Sequence, residues 1–442
     1  MKRSVGSVGS VGYTPLVGLA SAVVLISTAI FVGFGGPDGG PGRDPHTPHG
    51  PAEPAVSGQW VGTWSASAAA AEPGTLDGYA GMSMRNVVHT SVGGSAVRIR
   101  LSNLYGTRPL VVGHASLALA LAPSDPTAAA GTMRRLAFDG KPAVTVPAGG
   151  AVTSDPVRLA VPGDTDVLVT TYSPSPSGPA TYHPYARQTS YLARGDRAED
   201  ATGAAYTEQS PYWRYLTGVD VWSAKAHGTV VAIGDSITDG ITSTAGANHR
   251  WTDFLAARLR DEPGAPRYGV LNQGISGNRL LLDGGRFSPN NGPSLLSRFE
   301  RDALSRPGVR AVIVEIGVND LLKSPRQLDP EKIVAGMRQL VRQAHARGVR
   351  VTGATLLPFG GHRGYSDRLD AVRERVNRII RSGTVYDEVV DFDAALRDPA
   401  SPDRLFPAYD SGDHLHPSDG GYLAMADAVD LDRLRQAAPA AL

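Results

Sequence analysis

Apolar and polar positions along this chain fall into three textures. Residues 16–34 form an uncharged, mostly apolar stretch rich in Val, Ile, Leu and Ala. From about residue 60 to 225, short runs alternate apolar with polar positions, as in Ala-Val-Arg-Ile-Arg-Leu at 96–101 and Asp-Val-Leu-Val-Thr-Thr-Tyr at 166–172. An alternation of period two buries one face of a strand. Turn formers at Gly93-Gly94, Gly106, Gly149-Gly150 and Pro162-Gly163-Asp164 separate these runs at short spacing, which predicts antiparallel strands in a β-sandwich of jelly-roll kind.

After residue 225 the rhythm changes to nearly continuous apolar runs at 229–233, 268–271, 309–316, 349–357 and 388–392. Strands that are apolar on both faces belong to a parallel sheet covered on both sides. Between and after them lie stretches of helical period at 251–260, 295–304, 331–347, 367–381 and 421–434. Strands alternating with helices predict βαβ units, an α/β doubly wound sheet whose ligands sit at the carboxyl ends of the strands.

At 442 residues the chain is long enough for two such domains. Residues 36–58 are Gly, Pro, His and Ala with almost no large apolar side chain, too little to bury, and predict a linker. Lys2 and Arg3 ahead of the 16–34 stretch predict a signal peptide or membrane anchor over residues 1–35. The expected organisation is therefore 1–35 for targeting, 36–58 for the linker, 59–225 for the β-sandwich and 226–442 for the α/β domain. Such a protein is secreted or anchored on the outer face of the cytoplasmic membrane. A formal net charge of +1, with no basic run beside interleaved aromatics, gives no support to a nucleic-acid partner. The absence of cysteine removes disulfides, a thiolate nucleophile and Cys-ligated metals.

The chemistry collects where strands end. The first three α/β strands run into Gly234-Asp235-Ser236-Ile237-Thr238-Asp239-Gly240, Asn272-Gln273-Gly274-Ile275-Ser276-Gly277-Asn278 and Gly317-Val318-Asn319-Asp320, loops that must converge at one end of the sheet. Far downstream stands Asp413-His414-Leu415-His416-Pro417. A serine hydroxyl attacks a carbonyl only when a base takes its proton, and the base works best when a carboxylate orients it. Ser236 is the candidate nucleophile, His416 the base and Asp413 its orienting acid, three residues away and within reach in one turn. An oxyanion formed on attack needs preorganised donors about 3 Å away. The candidates are the backbone N–H groups of Ser236 and Gly274 and the side-chain amide of Asn319.

Each residue also has a plainer reading. Ser236 could cap a helix. Asp235 and Asp320 suit loop and cap hydrogen bonding. His414, His416 and Asp413 could be metal ligands, although further ligands would be needed. His414 rivals His416 as base. His89 and His183 read as satisfied loop or core histidines, with His183 a candidate for the cleft border. Trp60, Trp64, Trp213 and Trp222 read as core aromatics, or as a platform for stacking sugars.

These residues resemble the Ser-Gly-Asn-His hydrolases, also called GDSL-type esterases and lipases. Gly234-Asp235-Ser236, Gly274, Gly317-Val318-Asn319-Asp320 and Asp413-His414-Leu415-His416 match the family's blocks in order, over residues 229–434. Ile237 stands where the first block usually has leucine. The resemblance implies a flavodoxin-like fold, a shallow open site and no cofactor. Residues 60–222 are similar to the β-rich domain that precedes the catalytic domain in a subset of secreted bacterial members, and that subset implies an acetyl ester on carbohydrate. The expected partner is a small-molecule or polysaccharide ester. A lipase or lysophospholipase activity is the alternative substrate class, and a non-catalytic carbohydrate-binding protein the alternative function.

Overall fold

Five parallel strands build the sheet that positions the site: β1 (Gly228–Gly234), β2 (Tyr268–Gly274), β3 (Val309–Glu315), β4 (Arg350–Ala354) and β5 (Glu388–Val390). The structure, a computed structural model, describes residues 57–435. The expected signal or anchor segment, and all but the end of the expected linker, lie outside these residues.

The strand order is β2-β1-β3-β4-β5, and every neighbouring pair is parallel. Val230, Val231, Ala232 and Ile233 of β1 are fully buried, as a central strand covered on both faces requires. The order reverses beside β1, so the loops after β1 and β3 diverge and leave a crevice at the carboxyl edge. Helices pack on both faces. In Pro330–His345 the buried residues Ile333, Val334, Met337, Leu340, Val341 and Ala344 recur at helical spacing, and the Asp329 side chain accepts from Glu331 N–H with Pro330 in the first turn. Met337 and Leu340 are completely buried, so truncating either to alanine removes about 2–5 kcal/mol.

Several expected boundaries move, and three do so for a local reason. β4 stops at Ala354 rather than 357, because the Leu356 N–H and C=O both bond to the Asn377 side chain instead of a neighbouring strand. The stretch at 295–304 begins as an α-helix, Leu295–Phe299, and widens into a π-helical turn, Glu300–Leu304. The last helix is two pieces, Asp419–Asp427 and Leu431–Arg435, since Asp430 accepts from the Asp432 and Arg433 N–H groups and starts a new turn.

The region before β1 is mostly β strand, as its alternation predicts. One antiparallel sheet runs Gln59–Ser65, Leu216–Ser223, Gly94–Ser102 and Val157–Val161. A second contains Ser190–Arg194, Met82–His89, Asp166–Ser173 and His114–Leu119. Val61, Ile99 and Val219 from the first sheet share one apolar cluster with Val88, Leu117 and Val169 from the second. A small third sheet of Ala70–Ala71, Thr181–His183 and Trp213–Arg214 carries His183 toward the α/β half. The strand Gln59–Ser65 lies against β1 and β2, with Gly62 N–H donating to Thr229 Oγ1 at 3.0 Å. A Cβ on Gly269 would come within 2.1 Å of the Gly62 carbonyl, so only glycine allows this approach. Both halves therefore belong to one compact unit.

Candidate active site

β1 ends at Gly234, where a Cβ would meet the Glu315 carbonyl at 2.1 Å. Asp235 then turns the chain, and its side chain accepts from Ile237 N–H at 3.0 Å, capping the short helix Ser236–Asp239 that Gly240 closes at φ 88°. This capping leaves Ser236 on the first turn, 7% exposed, at the carboxyl edge of the sheet. After β3, Gly317 at φ 133° starts the helix Val318–Leu322, and Asn319 Nδ2 reaches Asp235 Oδ2 at 3.2 Å.

The chain returns to this point at Asp413–His416. Asp413 Oδ1 accepts from the Leu415 and His416 N–H groups at 3.0 and 2.8 Å, which folds the segment into a tight turn. Asp413 Oδ2 lies 2.6 Å from His416 Nδ1, and His416 Nε2 lies 2.8 Å from Ser236 Oγ. Burial alone would raise the Asp413 carboxyl, but hydrogen bonds from the His416 ring and backbone outweigh it and hold the group well below the usual carboxylate range. Asp413 is thus an anion fixing one face of the imidazole while the other face meets a hydroxyl. His414 takes no part. At φ 63° its ring turns to Asp410 Oδ2, 2.5 Å from Nδ1. Among the described residues no group of three or more His, Cys, Asp or Glu side chains is arranged to hold a metal ion.

Gly274 is not where the oxyanion reading needs it. Its N–H donates to Asn272 Oδ1 at 2.9 Å, and a Cβ there would come within 2.2 Å of the Asp239 backbone N, so Gly274 faces the packed helix turn rather than the cleft. Of Gly274 and Gly277, it is Gly277, at φ 79°, that lines the cleft with Ser236 and Asn319. No acceptor for the Ser236 or Gly277 N–H occurs among the described residues. Asn319 Nδ2 uses one hydrogen on Asp235 and keeps the other. Two backbone donors and one amide hydrogen with no acceptor among the described residues thus belong to residues that line the cleft beside the serine.

Other residues hold these loops from behind. Arg298, fully buried, donates to the Gly234 carbonyl at 2.9 Å, to the Gln273 carbonyl at 2.8 Å and to Asn278 Oδ1 at 3.0 Å, tying the ends of β1 and β2 together. His183 is buried behind the cleft, with Nδ1 3.0 Å from the Ser67 carbonyl and Nε2 2.9 Å from Asp239 Oδ1. Asp320 is also structural, accepting from the Leu280 and Leu281 N–H groups. His89 sits between Asp164 and Asp166. Trp64 and Trp213 pack edge to face in the core, as do Trp60 and Trp222 at its margin, and no tryptophan lines the cleft among the described residues. Arg298 and Asp239 carried no sequence signal beyond their types, because their partners come from distant segments.

Fold and site together define a hydrolase. Residues 232–424 match the family described as GDSL-like Lipase/Acylhydrolase, and the chain carries a domain of that family. A solved structure of a putative lipolytic protein of the G-D-S-L family from Desulfitobacterium hafniense is 22% identical, covering 47% of this chain and 99% of that one at TM-score 0.35. An acetylxylan esterase from Geobacillus stearothermophilus is 22% identical over 48% of this chain and 94% of its own, at TM-score 0.36. A GDSL-like lipase from Bacteroides thetaiotaomicron is 19% identical over 48% and 89%, at TM-score 0.34. No curated protein matches the chain.

Proposed function

We propose that this protein is an exported serine esterase that hydrolyses carboxylic esters, acetyl esters on carbohydrate in particular, through an acyl-enzyme. Ser236 Oγ attacks the ester carbonyl as His416 Nε2 takes its proton, and Asp413 stabilises the imidazolium and its orientation. The oxyanion forms between the N–H groups of Ser236 and Gly277 and the Asn319 amide. The carbonyl re-forms as the alkoxide leaves with the proton from His416. Water, activated by the same imidazole, then adds to the acyl-serine, and collapse releases the acid and the free hydroxyl.

The observation that carries this reading is the unbroken line from Asp413 Oδ2 through His416 to Ser236 Oγ, with contacts of 2.6 and 2.8 Å. A short acyl group is supported by the cleft lining, where Tyr185, Asn290, Asn291 and Lys323 stand among isolated apolar side chains such as Ile241 and Leu322. Tyr185 comes from the β half, which supports a part for that half in holding the alcohol portion of the substrate. Turnover of p-nitrophenyl acetate by wild-type protein, lost in Ser236→Ala, tests the mechanism. A chain-length series of p-nitrophenyl esters tests the acyl class, because preference for long chains would favour a lipase. Release of acetate from acetylated polysaccharides tests the natural ester, and the size and fractionation of the protein in its own cells test export.

A further inference from the structure

Ester hydrolysis itself places no demand for cations around the nucleophile, yet Lys323, Arg326 and Arg363 all line the cleft that holds Ser236. Asp413 is the one carboxylate in that lining among the described residues, and it is engaged by His416. No carboxylate lies within 4.0 Å of any of the three cations among the described residues. Elsewhere on the same half several arginines are matched, although others, such as Arg338 and Arg342, also have no carboxylate within 4.0 Å among the described residues. Arg373 pairs with Asp370 and Asp393, and Arg381 with Asp391 and Asp393.

Lys323 is the most telling of the three. It follows the Asn319 helix directly, its N–H donating to the Asn319 carbonyl at 3.0 Å. Its ammonium stands 2.3 Å from where a Cβ on Gly277 would lie, which puts the charge beside the oxyanion donors. The side chain is half-buried, and that burial lowers its pKa against the pull of the Asp235 carboxylate. Withdrawing an ammonium from water without a counter-ion is costly, and an anion arriving with the substrate restores the balance. Arg363 lies in the same lining, next in sequence to His362, which also lines the cleft. Lys323 and Arg363 therefore reach the same cleft from different segments, Lys323 beside Gly277 and the exposed Arg363 from the 360–364 loop. An ammonium acts as a point charge and a guanidinium as a two-pronged donor, a pairing suited to a carboxylate or phosphate.

We propose that this cleft selects anionic esters, in which a carboxylate or phosphate sits on the alcohol portion close to the scissile acyl group, with Lys323 and Arg363 as the specificity-determining residues. The proposal rests on the serine-esterase reading above. It adds the charge of the substrate, which that reading leaves open.

The test compares acetate release from methyl 4-acetoxybenzoate, 4-acetoxybenzoate and 4-acetoxyphenyl phosphate, which share an aryl acetate and differ in charge. Because intrinsic reactivities differ, the measured quantity is each charged-to-neutral ratio of kcat/KM, determined for wild type and variant separately and then compared. Lys323→Gln combined with Arg363→Gln lowers that ratio about tenfold, as expected for removing two nearby charges at moderate screening. The arm with the larger loss tells carboxylate from phosphate. The wild-type ratio also falls as salt rises from about 0.01 M to about 1 M, a measurement that needs no variant to fold. Ratios that do not respond to either change overturn the proposal and leave the esterase intact. If none of the three esters releases acetate faster than with Ser236→Ala, the esterase reading itself fails, and the proposal with it.

Discussion

His183 Nε2 lies 2.9 Å from Asp239 Oδ1, and both side chains are buried, so a histidine of the β half grips the helix turn that begins with Ser236. The second oxygen of Asp239 accepts from the Ser276 N–H at 2.9 Å and from Ser276 Oγ at 2.5 Å. Ser276 immediately precedes Gly277. A continuous chain of hydrogen bonds thus runs from the Ser67 carbonyl through His183 and Asp239 to the loop whose Gly277 lines the cleft.

Removing His183 leaves Asp239 buried with a vacant acceptor, at a cost of about 1–3 kcal/mol. His183→Ala is therefore expected to lower the unfolding free energy by that amount, read as a lower urea midpoint at unchanged m, and to reduce kcat on p-nitrophenyl acetate several-fold as the 275–278 loop relaxes. Wild-type stability together with wild-type kcat would show that the two halves are not coupled through this contact.

Gly274, the last residue of β2, and Gly277 in that loop are expected to respond differently. At Gly274 a new Cβ meets the Asp239 backbone N at 2.2 Å, and a backbone atom cannot step aside. Gly274→Ala thus costs chiefly stability, seen as a lower Tm. At Gly277 the nearest atoms are the ends of Asn291 and Lys323, which can move, but the φ of 79° is strained for alanine and the N–H would shift. Gly277→Ala is expected to lower kcat by about 10-fold or more, toward the loss seen when an oxyanion donor is removed, with a smaller change in Tm. The reverse pattern would return the oxyanion role to Gly274.

These glycines also show what the sequence could and could not carry. The strands of the parallel sheet were legible because burial on both faces leaves unbroken apolar runs such as Val230 to Ile233, and the strand ends followed from them. Ser236, Asn319, Asp413 and His416 stand at such ends or in the late turn, and the structure brings their side chains together. The choice between Gly274 and Gly277 was not legible. It depends on the Asn272 side chain occupying one N–H, a contact that neither hydropathy nor spacing encodes. Arg298 was hidden for a similar reason: its carbonyl partners at 234 and 273 belong to other strands.

The neighbouring histidines give a further contrast. His416 bridges Ser236 and Asp413, whereas His414 bonds only Asp410 within a turn. His416→Ala is expected to lower kcat by roughly 10³-fold or more, as loss of a general base does in such a triad. His414→Ala should keep kcat within about tenfold, since no reacting group depends on its ring. Steady-state kinetics on p-nitrophenyl acetate check both. A collapse of activity in His414→Ala with an intact fold would move the base.

Beneath the nucleophile, Glu315 and Asp235 form a buried pair of carboxyls. Glu315 is 1% exposed, its Oε2 accepts from Thr238 Oγ1 at 3.2 Å, and its Oε1 has no partner among the described residues. Burial pushes the Glu315 pKa well up, and the Asp235 charge pushes it further; burial raises Asp235 as well, against the Ile237 N–H and the nearby His416. In the unfolded chain a glutamate releases its proton near pH 4.3, roughly. Above that pH the folded protein still holds a proton that the unfolded chain has lost, so the contribution of Glu315 to stability is complete below the unfolded value and declines as pH rises toward the folded one. Glu315→Gln cannot titrate and keeps an N–H donor beside Asp235. The urea-midpoint difference, wild type minus Glu315→Gln, is therefore expected to be most favourable to wild type near pH 4 and to fall steadily toward pH 8, roughly the upper end of the practical range. Carboxylates held low, such as Asp413, titrate in the opposite sense but are common to both proteins and cancel in the difference. A difference that stays level across this window would mean that Glu315 is already ionised in the fold, and that Asp235 and Asn319 are held without its proton.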